Sequence, residues 1–149
     1  MIFVLLVFVL GSLSEEADSF MNEYLFNGYS SQWSRGVYLS AGEPLSFLIY
    51  PGSNLEGVLC GLGGSAVYDL RLELQGGGMD IIDEQPDDLP VLQFVTGSGS
   101  VAYTVTVTAV EMLYGARADS AYIFFAMRPV LEDTENSVPV ETDSEITGE

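Results

Sequence analysis

The chain has 149 residues, 48% of them hydrophobic, which is the length and apolar content of one domain with one core. Its formal charge is −18, from 22 acidic residues against four arginines and no lysine, so the clustered positive charge that binds phosphate backbones and anionic membrane surfaces is lacking. Histidine is absent and cysteine occurs once, at Cys60, which excludes Ser-His-Asp and Cys-His catalysis within the chain, a His/Cys zinc site and an intrachain disulfide.

Residues 2–10, IFVLLVFVL, form an unbroken apolar run followed by small residues and then Glu15-Glu16. The run is too short to span a bilayer and has the length of a signal-peptide core. Ser12 and Ser14 stand at the small-residue spacing for cleavage, so 1–14 reads as a leader, with cleavage after Ala17 as a second option. The expected location is therefore secreted or periplasmic, with no membrane contact once the leader is removed. Met1 alone precedes the run, without the usual basic residues.

Glu23 to Gly28 reads as a first strand ending at the turn dipeptide Asn27-Gly28. Tyr24, Tyr29 and Trp33, with Tyr38 beyond them, make this the most aromatic part of the chain. These rings form a candidate sugar platform if they share an exposed plane; the plainer alternative is that they pack the edge of the core. Gly36 to Ser40 and Pro44 to Tyr50 are the next strands, the second with Leu45, Phe47 and Ile49 alternating with its other residues. Gly57 to Cys60 is a short apolar strand. The glycines of Gly61-Leu62-Gly63-Gly64-Ser65 lack the lysine and spacing of a phosphate loop and read as a flexible connection. Cys60 reads as a small buried hydrophobe, with no nearby positive charge to activate it.

From Val67 the pattern sharpens. Leu70, Leu72 and Leu74 alternate with Asp69, Arg71, Glu73 and Gln75, a half-buried strand. Gly76-Gly77-Gly78 turns the chain into Met79–Ile82, and a polar loop leads to a strand over Leu89–Val95. Val101, Tyr103, Val105 and Val107 then alternate with Ala102 and three threonines. Residues 111–117 read as a connector, and Tyr122–Met127 as a closing strand, apolar on both faces and so central or covered.

These elements predict an all-β fold, a jelly-roll-like antiparallel β-sandwich of about eight strands over residues 18–131. The strand order and turns, carried by Ala41-Gly42-Glu43, Asp69-Leu70-Arg71-Leu72, Asp87-Asp88-Leu89-Pro90 and Tyr103-Thr104-Val105-Thr106-Val107, resemble the bacterial pre-peptidase C-terminal domain over about residues 36–128. The resemblance implies a non-catalytic role in secretion, stability or substrate attachment. Such domains are usually appended to secreted hydrolases. The residues between Gly99 and Tyr103 are also two longer than the family pattern. Residues 132–149 hold seven acidic residues and no basic or aromatic one, the composition of a disordered tail.

Asp80, Asp83, Glu84, Asp87 and Asp88 are the one candidate metal loop, for calcium, although the EF-hand spacing is missing. A solvated loop is the plainer reading. No pair of carboxylates stands out as an acid/base couple, so the chain is not expected to be an enzyme. Two functions remain: attachment to or stabilisation of an extracellular or periplasmic protein, or binding of a polysaccharide through the N-terminal aromatics.

Overall fold

The computed structural model describes Leu13 and residues 15–25 and 27–130. Residues 1–12, Ser14, Phe26 and 131–149 lie outside the described residues, and with them most of the expected leader and the expected disordered tail. Eight strands form two four-stranded antiparallel sheets: β1 (Ser30–Ser40), β2 (Leu45–Ile49), β3 (Leu55–Gly63), β4 (Val67–Gly76), β5 (Met79–Ile82), β6 (Val91–Val95), β7 (Tyr103–Met112) and β8 (Ala118–Pro129). One sheet runs β1-β8-β3-β6 and the other β2-β7-β4-β5. First pairs with last, second with seventh, third with sixth and fourth with fifth. The chain is thus one long hairpin, bent at the β4–β5 turn and rolled into two sheets, which is the jelly-roll order.

The alternating strands define the core. Leu70, Leu72 and Leu74 of β4 and Tyr103, Val105 and Val107 of β7 are buried side by side, with Leu72 opposite Val107 and Leu74 opposite Val105. They face Leu59 of β3, Leu92 and Phe94 of β6, and Ile123 and Phe125 of β8. Each such side chain contributes on the order of 1.5–3 kcal/mol by leaving water. The threonines of β7 lie on the other face, where the Thr106 hydroxyl meets that of Ser46 at 2.9 Å.

Two local expectations are corrected. Residues 15–25 are helical, as is Leu13, so the segment expected to begin a strand at Glu23 instead ends helix α1 (residues 15–25). Asn27-Gly28 closes that helix rather than a strand. Gly28 has φ 84°, its N–H donates to the Leu25 carbonyl at 3.2 Å, and the Tyr29 N–H donates to the Tyr24 carbonyl at 3.3 Å. This paired-bond glycine cap satisfies carbonyls that the helix end leaves free. The second correction concerns the glycines after Cys60. Gly61 and Gly63 belong to β3 and are buried. Gly57, also in β3, lies against the Phe94 ring, where a Cβ would overlap it. The missing side chains make room for large ones opposite.

The hairpin apex is held by a close approach. Gly77 has φ 57°, and a Cβ there would collide with the Tyr103 hydroxyl. That buried hydroxyl has no hydrogen-bond partner among the described residues. Gly77→Ala combines a strained backbone with a steric clash and is expected to cost about 2 kcal/mol or more in urea unfolding. Tyr103→Phe removes an unpaired buried polar atom and is expected to be neutral or stabilising, by up to about 1 kcal/mol.

Candidate functional site

Three places on this scaffold carry polar, aromatic or reactive side chains together: the helix-covered outer face of the β1-β8-β3-β6 sheet, the acidic β5–β6 loop, and the end of the sandwich where β3 turns into β4.

On the outer face, Val58 and Cys60 of β3 and Phe124 and Ala126 of β8 are all fully buried, although they point away from the sandwich core. Leu13, Ala17, Phe20, Met21 and Tyr24 recur at helical spacing and cover them and Leu62. The Phe20 ring meets Phe124 edge-on at 5.8 Å and Tyr24 at 5.6 Å. Arg128 of β8 ties the helix end down. Its guanidinium pairs with Glu56 of β3, donates to the Asn27 carbonyl at 2.9 Å, and lies 4.6 Å from the centre of the Tyr29 ring. An isolated helix of this length is marginal in water, so α1 depends on these contacts.

Cys60, the only sulfhydryl, therefore lies sealed under α1. Burial pushes its thiol up to about 12, with the neighbouring Tyr24 hydroxyl opposing the shift. Burial likewise raises Tyr24 to about 12, with Cys60 adding to it. A thiol held neutral in this way is a packing group and not a nucleophile.

The four rings of the candidate sugar platform are divided between different surroundings. Tyr24, on α1, is half-buried against the outer face of the sheet, and Tyr29 meets it edge-on, with 84° between the ring planes. Trp33 packs instead into the inter-sheet core, edge-on to Phe47 at 5.3 Å. Tyr38 projects outward with 63% of its surface exposed. Tyr24, Tyr29 and Trp33 serve packing, and Tyr38 stands alone as an exposed ring of the four.

The acidic loop is organised by its own backbone. Asp83 accepts the N–H groups of Gln85 and Val91, both at 2.9 Å, and Asp87 accepts the Leu89 N–H at 3.0 Å. Asp80 receives the Gln75 side-chain amide at 3.2 Å. Glu84 and Asp88 are exposed. Among the described residues no three acidic, histidine or cysteine side chains come close enough to hold a metal ion, so the five candidate calcium ligands do not converge. The aspartates shape turns, a role their type performs readily.

The third place had no sequence signal. Gly64 donates to the Ser120 carbonyl at 2.8 Å, and Ala66 donates to the Asp119 carboxylate at 2.7 Å, fastening the β3–β4 turn to the start of β8. The Leu113 N–H donates to the Ala66 carbonyl at 2.8 Å, bringing the β7–β8 turn alongside. Around this junction Tyr68 is 53% exposed, Leu113 47%, and Tyr114 fully exposed. A cavity of about 310 Å³ opens there, between the β3–β4 turn, Tyr68, Asp88 and the start of α1.

The sequence matches no protein-family model and no curated protein.

The seal over Cys60 is directly measurable. Thiol reagents are expected to label it only through local opening, and Phe20→Ala or Arg128→Ala should each speed labelling while the sandwich stays folded. Both raised pKa values mean that the folded state holds its protons more tightly than the unfolded chain. This contribution to stability is complete below the ordinary thiol value of 9.0 and is lost as pH rises towards about 12. Unfolding midpoints should fall over that alkaline range, and less so in a Cys60→Val, Tyr24→Phe variant. Calcium or a chelator should leave the thermal midpoint unchanged; a raised midpoint with calcium would restore the metal reading.

Proposed function

We propose that this chain is a non-catalytic β-sandwich module that acts outside the cytoplasm by attaching to, or stabilising, a protein partner. The observation that carries the reading is the exposed apolar end of the sandwich. Tyr68, Leu113 and Tyr114 protrude from adjoining strands and turns that the hydrogen bonds above hold in place. Tyrosine is enriched at protein interfaces because it offers a large rigid area with a polar tip. Grouped exposed apolar side chains on a folded domain mark contact surfaces more often than scattered ones do.

The leader-like run at 2–10 supports an exported location, and the resemblance to the pre-peptidase C-terminal domain supports attachment as the task. The one thiol of the chain is buried and held neutral, which supports a role in binding rather than nucleophilic chemistry. The four rings of the N-terminal segment are engaged or separated as described, so the polysaccharide reading draws less support from the same geometry.

The test is affinity capture from the exported fraction with the full chain and with a Tyr68→Ser, Leu113→Ser, Tyr114→Ser variant. The same protein is expected to be retained by the first and lost by the second, at an unchanged unfolding midpoint. Retention of a polysaccharide in place of a protein, or of the same protein by both chains, would overturn the assignment.

A further inference from the structure

The four edge strands of the sandwich are not alike. Strands β2, β5 and β6 have five, four and five residues. Asp80 lies on β5, and the Val91 N–H at the start of β6 donates to the Asp83 carboxylate at 2.9 Å. Short length and charge are the usual protection of a sheet edge. Strand β1 has eleven residues and contains no proline, lysine or acid. Its irregularity lies between Ser31 and Trp33, and from Trp33 to Ser40 it pairs with β8 in unbroken register. Just past this run the Ala41 N–H donates to the Arg117 carbonyl at 2.9 Å. Alternation from that pair turns the backbone groups of Arg35, Val37 and Leu39 towards β8, and those of Ser34, Gly36 and Tyr38 towards the open edge. Among the described residues no turn or loop backbone group bonds these three. Nearby, Tyr38 is 63% exposed and Leu48, on edge strand β2, 55%.

Acids are scarce on this side. Glu43 is the only one between Tyr24 and Leu55. Asp80, Asp83, Glu84, Asp87 and Asp88 belong to β5 and the loop after it, at the far edge, three strand spacings away. That separation, about 14 Å at the usual strand spacing, exceeds the screening length of about 8 Å at physiological salt. We propose that two copies of this chain join edge to edge through β1, antiparallel about a two-fold axis at Gly36, so that their β1-β8-β3-β6 sheets become one continuous sheet. Charge selects this occupant. A chain of net charge −18 repels its own copy wherever acids meet, and along β1 they do not meet. A basic segment of another protein would be drawn to the acidic β5 side instead.

The register follows from the same groups. An axis at Gly36 uses all three outward residues, setting Gly36 opposite its copy and Ser34 opposite Tyr38 of the other chain. An axis at Arg35 would set like charges directly opposite each other. An axis at Val37 needs the Ser40 carbonyl, which already accepts the Glu43 N–H at 3.1 Å. With the axis at Gly36 each exposed Tyr38 comes to lie beside Ser34 of the other copy, whose hydroxyl accepts from the Tyr122 hydroxyl at 3.0 Å. Because the same edge is used by both chains, the assembly closes at two. It is independent of the attachment reading, which uses the end of the sandwich and no residue of β1.

The experiment is sedimentation equilibrium of the full chain with residue-resolved amide hydrogen exchange by NMR. A reversible monomer–dimer exchange is expected, strengthened by salt because the copies repel. The amides of Ser34, Gly36 and Tyr38 should gain protection as the concentration rises, while those of Arg35 and Val37 are protected at every concentration. Tyr38→Lys and Tyr38→Pro, the second removing only an outward N–H, should each give a monomer with an intact unfolding transition. Should the proline variant not fold, the lysine variant decides. Gln93→Lys, on the β6 edge, should leave the dimer in place. A monomer at up to about 1 mM, assemblies larger than two, dissociation by salt, protection without the alternation, or a dimer lost in Gln93→Lys and kept in Tyr38→Lys would overturn the proposal.

Discussion

The β1-β8-β3-β6 sheet buries side chains on both of its faces, and much of the molecule answers that constraint. Val58, Cys60, Phe124 and Ala126 would otherwise present a continuous apolar strip to water along the two central strands of the sheet, a surface prone to aggregation. Helix α1 covers the strip, and Arg128 fastens the helix by holding a carboxylate, a backbone carbonyl and a ring at once. The other sheet faces outward with threonines and charged residues and, among the described residues, has no such cover. The two sheets therefore divide the labour: one is walled in, and the other meets the solvent directly.

That division was partly visible in the sequence. Alternation of Leu70, Leu72 and Leu74, and of Tyr103, Val105 and Val107, located β4, β7 and the face each buries, because period-two patterning is a local property of a half-buried strand. The apolar run Tyr122–Met127 announced a strand enclosed on both sides, and β8 is central in its sheet with the helix over it. The same logic extended to its neighbour β3 would have called for a cover. The stripe Leu13, Ala17, Phe20, Met21, Tyr24 had the spacing to supply one. The leader pattern and the turn dipeptide Asn27-Gly28 each account for one end of it, which masks the helix. A glycine after an asparagine ends helices as well as strands, and the choice is set by tertiary packing.

The candidate site was less legible, for a physical reason. Leu13, Glu16, Leu62, Tyr68 and Asp88 meet only after the strands have rolled up, and no local pattern links them. The acidic loop, by contrast, was conspicuous because its carboxylates are adjacent in sequence. Adjacency favours turns in which Asp83 and Asp87 accept nearby backbone N–H groups, which turns those carboxylates towards the chain and away from a common centre. The N-terminal aromatics were conspicuous for the same reason. Alternation then sent Trp33 inward, while the helix carried Tyr24 to the opposite side of the sheet.

The rolled hairpin also governs how the molecule can assemble. Ser30 pairs with Met127, and the inner strand β8 is the last of the eight to be synthesised, so neither β1 nor β3 has its principal neighbour until nearly the whole domain has been made. Such remote pairings form slowly, since the entropy of closing a long loop is lost before any contact compensates it. A ribosome-bound fragment that ends before Ala118 would hold the β2-β7-β4-β5 sheet complete and the other in pieces. The β1-β8-β3-β6 sheet can therefore close only late in synthesis, once β8 is available to join β1 to β3.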